Sequence, residues 1–328
     1  MMKKINIPLS DTKHCLLACI NSILKLYGYE FDEAELFLIG GGYYMEYIAE
    51  EDFLGTSYNK LVFNCNNSEL FSAKLIIDNL PDDRFAWLNF IDLQISAGSP
   101  VILCMNSSYL YYHKEFNNER KHFIVINGVD KSTSIVHVTD FFMQDNKGRS
   151  SQFEGDIDIN RICDGIWGCI LIKPNSYACK KLDKNVALYL LLTSLKKYTC
   201  DSNFESGDAL IRLYLKEIYK YEKMGEKEFL MHISNMYYYL KHSSVFHILY
   251  YTKQIIQKHL NNQEELVQEI ENQIFRWKAY CMNLMKLCVK NENDKVLCLY
   301  EKGSEHLNDI KNILNKVVNY IEKERKIL

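Results

Sequence analysis

Three residues, taken in chain order, carry the types needed for nucleophilic thiol chemistry. Cys15 heads an apolar-periodic run, His122 opens a β-like run, and Asp140 closes the next one. Together they point to covalent acyl transfer, in which a thiolate attacks a carbonyl carbon and an imidazole carries the proton. The carboxylate then fixes the tautomer of that imidazole. Cys15 suits the first role because a helix start offers unpaired backbone N–H groups and the positive end of the dipole. Both favour a thiolate and can hold an oxyanion. Neighbouring strands of a hairpin bring side chains together, so Asp140 is expected directly across from His122, accepting its N–H.

Each residue also has a plainer reading. A cysteine on an apolar helix is commonly a small buried hydrophobe, and His122 and Asp140 could be an edge-strand residue and a turn former. Cys19, one turn after Cys15, competes as nucleophile if the helix starts later. His14 points elsewhere on a helix, and His137, three residues before Asp140, faces the other side of its strand. His113 stays open as a substrate contact. The oxyanion is expected at the Cys15 N–H with a second donor from Ser10 or Thr12. Tyr43, Tyr44, Tyr47 and Tyr111 are candidates for walling an acyl tunnel against water, with ordinary packing an equally good account of them.

The elements that must position these groups are readable as an α+β layout. Leu16, Ala18, Cys19, Ile20, Ile23 and Leu24 recur at helical spacing and Gly28 stops them. A second helix is expected over 31–38 from Asp32, a strand over 60–64, and helices over 68–79 and 85–97. Residues 100–105, 121–128, 134–140 and 165–172 read as strands, the middle two as an antiparallel hairpin. From about residue 184 the pattern is helical to the end of the chain. The sequence therefore predicts a catalytic domain over 1–178 and a helical bundle over 179–328.

Composition narrows the function classes. The 328 residues are 48% hydrophobic and 25% charged, as in ordinary folded domains, and a net charge of −3 gives no footprint for nucleic acid. No apolar run approaches a bilayer span of roughly 20 residues, and no signal-peptide core follows Lys3-Lys4. A cytoplasmic protein without a membrane association is expected, and its eleven cysteines as reduced thiols. Their spacing makes no zinc pattern, so no metal is expected. Without a P-loop or dinucleotide fingerprint, no cofactor is expected either. The sequence does not fix the oligomeric state; a homodimer is one expectation.

The first 175 or so residues resemble the BtrH N-terminal family, named for butirosin biosynthesis protein H. The resemblance rests on Lys13-His14-Cys15 opening a helix that ends at Tyr27-Gly28, and on the Ile39–Tyr47 segment with its three glycines. His122–Asp130 and Val136–Asp140 complete the ordered set. It implies a papain-like cysteine protease fold turned to acyl transfer, with the order Cys, His, Asp of that fold. The implied reaction takes an acyl chain from the phosphopantetheine thioester of an acyl or peptidyl carrier protein onto cysteine, then onto a small amine, a diamine included. Phosphopantetheine enters only as part of the substrate. The main departure is Leu9, where papain-like proteases carry glutamine six positions before the cysteine. A papain-like peptidase is the alternative reading.

Overall fold

A computed structural model describes residues 2–8, 12–49, 53–56, 72–76, 81, 83–113, 121–144, 150–173, 179–200, 206–221, 225–242, 244–290 and 296–327. The chain begins with β1 (Lys3–Lys4), helix α1 (Cys15–Leu26), helix α2 (Glu33–Ile39) and the antiparallel hairpin of β2 (Met45–Ile48) and β3 (Phe53–Thr56). Next come β4 (Ser72–Ile76), α3 (Arg84–Ser96), β5 (Val101–Asn106), β6 (Lys121–Asp130), β7 (Ile135–Gln144), β8 (Ser150–Asp158) and β9 (Ile166–Lys173). Helices complete it: α4 (Lys184–Thr199), α5 (Gly207–Lys216), α6 (Ile218–Tyr221), α7 (Glu226–His242), α8 (Val245–His259), α9 (Glu264–Lys290) and α10 (Val296–Ile327). This is an α+β protein with an antiparallel sheet and a helical C-terminal region.

The helices nearest the candidate residues begin and end for identifiable reasons. The α1 N-cap is His14, whose Nδ1 accepts from Leu17 N. At its other end, Gly28 at φ +79 lets Gly28 N reach Lys25 O and Tyr29 N reach Leu24 O, a Schellman closure. Asp32 and Glu35 start α2 as a reciprocal capping box at 2.8 and 3.1 Å. Asp83 caps α3 by accepting from Phe85 N and Ala86 N.

Two compact units divide the chain: Met1–Leu36 with Lys60–Leu182, and Phe37–Asn59 with Asp183–Leu328. In the first, the sheet order is β4-β9-β5-β6-β7-β8 with β1 added on β6, all pairs antiparallel. Every residue of β5 is buried, so this strand has cover on both faces. Helix α3 supplies Trp87, Leu88, Ile91 and Ile95 to one core with Val101, Leu103, Ile124, Ile126 and Val138. Helix α1 packs against β6, β7 and β9, with Leu16 through Leu24 all buried.

The expected helix over 68–79 is corrected by β4, which pairs with β9 from Ser72↔Lys173 to Ile76↔Cys169. Cross-strand pairing overrides the local helical period there. The expected strand over 60–64 lies outside the described residues. Strand β8 escapes sequence reading because its outer residues are polar and only Ile157 is fully buried.

In the second unit, hairpin β2–β3 joins the helices rather than the sheet, so residues 37–59 stand apart from the 1–178 domain read from sequence. The reason is aromatic. Phe37 packs on Tyr43 and Tyr251 at 5.1 and 4.4 Å, and Tyr47 meets Tyr214 at 5.5 Å. Among the helices, Trp277 Nε1 donates to Leu240 O at 2.8 Å, joining α9 to α7. Among the described residues no helix is long and apolar enough to cross a membrane.

Ile20 is fully buried in α1, and deleting its side chain removes the wedge that seats the Cys15 helix. Ile20→Ala is expected to lower the unfolding free energy by about 2–5 kcal/mol, measured by urea denaturation.

Candidate active site

Helix α1 and strands β6 and β7 bring the three sequence-derived residues together. Cys15 is the first residue of α1, half-buried, and close enough to His122 to favour the charged imidazole. His122 Nε2 lies 2.8 Å from Asp140 Oδ2. Since Nε2 is taken by the carboxylate, Nδ1 is the nitrogen left to exchange a proton with Cys15.

Asp140 is not at a strand end, nor directly across from His122. Val125 pairs with Thr139, which sets Asp140 diagonally from His122, still within reach on one face. Strand β7 runs on to Gln144 through an irregularity between Asp140 and Met143. At that kink Phe142 N donates to Asp140 Oδ1 at 3.3 Å, so the bulge helps aim the carboxylate.

The Asp140 side chain is 0% exposed. Burial would raise its pKa, but the His122 charge and hydrogen bonds from His113 and His122 hold it well below the usual carboxylate range. For His122, burial would disfavour the imidazolium; the Asp140 charge and hydrogen bond, with Cys15, outweigh it and raise the pKa to about 10.

Two further groups meet the same carboxylate oxygen. His113 Nε2 lies 3.1 Å and Tyr112 Oη 3.2 Å from Asp140 Oδ2. His113, His122 and Asp140 offer ligand atoms within 4.8 Å of one another, close enough for a metal ion. With both Nε2 atoms at hydrogen-bond distance from one oxygen, and a hydroxyl beside them, the arrangement fits a carboxylate collecting N–H and O–H donors. The sequence left His113 open as a substrate contact and offered Tyr112, within Tyr109–Tyr112, for a tunnel wall rather than as a partner of Asp140; the signal was an aromatic run, Tyr109–His113, ending in histidine after a buried strand.

The remaining candidates separate. Thr12 Oγ1 donates to Phe141 O at 3.4 Å, so its hydroxyl is spent tying the Cys15 loop to β7 rather than facing an oxyanion. Ser10 lies outside the described residues. Glu33, unanticipated, accepts Lys13 N through both carboxylate oxygens at 3.1 and 3.0 Å and anchors the same loop. Leu17 N and Ala18 N are used by His14, while Cys15 N and Leu16 N stand at the open helix end. Cys19 is fully buried, donates to Phe123 O at 3.6 Å, and has its pKa pushed well up by burial, then by Cys15 and Asp140. It is a structural thiol. His137 pairs with Asp156 and Glu154 on β8.

Tyr111 is 48% exposed and sets its ring edge-on to Tyr112 and Phe153. Tyr43, Tyr44 and Tyr47 belong to the second unit. Tyr43 is 2% exposed with Oη 3.0 Å from Thr252 Oγ1, a core residue rather than an acyl wall. Lys197 lies 4.2 Å over the Tyr44 ring, and Lys196 pairs with Glu322 at 2.5 Å, so both basic residues are engaged within their own unit.

Residues 14–141 match the family model described as Butirosin biosynthesis protein H, N-terminal. This stretch of the chain is similar to the BtrH N-terminal domain. The match spans all three residues of the Cys15–His122–Asp140 group, from one position before the cysteine to one after the aspartate. No curated protein matches the chain significantly.

Two outcomes follow from this geometry. Cys19→Ala is expected to keep iodoacetamide labelling at Cys15, whereas Cys15→Ala abolishes the fast-reacting site, read by peptide mass spectrometry. Asp140→Asn is expected to cost about 3–5 kcal/mol of stability near neutral pH. His122 holds its proton more tightly in the folded chain than unfolded, so this contribution is full below about pH 6.5. It declines as pH rises through the folded value of about 10. The difference in melting temperature between wild type and Asp140→Asn should therefore narrow from pH 7 to pH 10.

Proposed function

We propose that this protein is a cysteine-dependent N-acyltransferase of natural-product biosynthesis with a papain-like catalytic unit. The observation that carries the reading is His122, hydrogen-bonded to a buried carboxylate and electrostatically coupled to a thiol at a helix start. The butirosin-biosynthesis name of the matched family supports a biosynthetic setting. Hydrolysis alone would need no acceptor; aminolysis of an activated acyl group is the use that setting favours.

In this reading, His122 holds the Cys15 proton as the imidazolium, and the thiolate attacks the carbonyl carbon of a carrier-protein phosphopantetheine thioester. Charge on the tetrahedral oxygen is held by the Cys15 N–H at the α1 start. The carbon–sulfur bond to pantetheine breaks, and that thiol leaves with the proton from His122. An amine then attacks the Cys15 thioester, His122 accepts its proton, and the Cys15 thiol is released as the amide forms. Exchange of a thioester for an amide runs downhill, so the reaction needs no nucleotide. Asp140 keeps the imidazole oriented and stabilises its charged form. A diamine is the first acceptor to try.

Intact-protein mass spectrometry with an acyl-pantetheine thioester tests this. An acyl adduct is expected on wild type, absent in Cys15→Ala, and discharged as amide on adding a diamine. No adduct with any thioester, together with cleavage of a peptide substrate, would replace this reading with a peptidase.

A further inference from the structure

Asp140 is shared. His122 from β6 and the His113–Tyr112 pair from the segment after β5 all converge on Oδ2, while Oδ1 takes Phe142 N. The rings are locked in turn. Tyr112 stacks on Phe153 at 3.8 Å and 9°, and His113 N donates to Leu110 O at 2.8 Å. The His113 side chain is 5% exposed and its ring lies 4.5 Å from that of His122. His113 Nε2, 3.1 Å from Asp140 Oδ2, is the ring nitrogen aimed at the carboxylate.

We propose that His113 and Tyr112 are positioning residues for the candidate triad. They donate an N–H and an O–H that pin the Asp140 carboxylate so that Oδ2 stays aimed at His122. The inference rests on the reading of Cys15 as nucleophile. The pinning matters because a carboxylate with fewer donors can rotate about its Cβ–Cγ bond, and a misaimed Oδ2 loses its hold on the His122 imidazole that serves Cys15. The titratable groups that surround Asp140 among the described residues are His122 from β6, His113 and Tyr112 from the segment after β5, and Cys15 and Cys19 from α1.

The test is the rate of Cys15 alkylation by iodoacetamide across pH, read on the Cys15 peptide in the full chain. Wild type, His113→Gln, His113→Leu and Tyr112→Phe are compared after thermal melts establish folding. Glutamine keeps an N–H near the position of Nε2; leucine keeps bulk alone. Loss of one hydrogen bond to a charged group is expected to slow labelling near pH 6 about tenfold in His113→Leu, with the acid midpoint moved upward. His113→Gln is expected to stay close to wild type.

Equal rates and midpoints in wild type and His113→Leu would overturn the proposal. Equal impairment in the glutamine and leucine variants would also overturn it, because shape alone would then explain the effect. Tyr112→Phe leaves the ring stack in place and carries the same test if the leucine variant does not fold; an unmoved midpoint there is contradictory. A wild-type Cys15 no more reactive than an ordinary thiol would instead sink the nucleophile reading itself.

Discussion

Asp140 keeps a carboxylate fully out of water, and a lone charge so placed would cost several kcal/mol. The surrounding chain meets that cost with donors: His122, His113 and Tyr112 on one oxygen and a backbone N–H on the other. The donors come from three parts of the first unit, so the sheet, the segment after β5 and the kink in β7 all have to be in place for the charge to be tolerated. In return the carboxylate holds His122 in one orientation and favours its protonated form. The proposed chemistry at Cys15 depends on that single buried charge.

The helix that carries Cys15 is fixed by a second set of short links. His14 caps the α1 start, Thr12 ties the preceding loop to β7 beside Asp140, and Glu33 takes the Lys13 N–H with both oxygens. Behind them Leu16 to Leu24, apolar except for Asn21 and Ser22, are all buried and seat α1 against the sheet. Precision at the thiol thus comes from packing along the helix and hydrogen bonds at its head. Cys19, one turn on, is sunk into that same packing and so lost to solvent.

What the sequence made legible is what local pattern controls. Cys15 could be found because a polar loop meets a helical period there, and His122 and Asp140 because two apolar strands carry them toward one another. The start of α2 was legible at Asp32 and the course of α3 in the pattern over 85–97, whereas the Asp83 cap appears only in the structure. The diagonal register of His122 and Asp140 was not legible, because a bulge shifts the pairing without a sequence mark. Strand β4 was lost for a related reason: its pairing with β9 is nonlocal and competes with a helical period. Tyr43 and Thr12 show a different limit. Their types suit a binding site, but whether a hydroxyl faces a ligand, Thr252 or a backbone carbonyl is decided only by the fold. His113 and Tyr112 reach Asp140 across 27 and 28 positions, a separation no periodicity reports.

The central claim is that Asp140 holds His122 in its protonated form through neutral pH. A histidine-selective NMR titration, with His122 assigned by substitution, measures this directly. The account requires an imidazolium signal at His122 that persists to about pH 8 and titrates far above the ordinary value near 6.5. A neutral His122 ring titrating near 6.5, the same in wild type and Asp140→Asn, would contradict it.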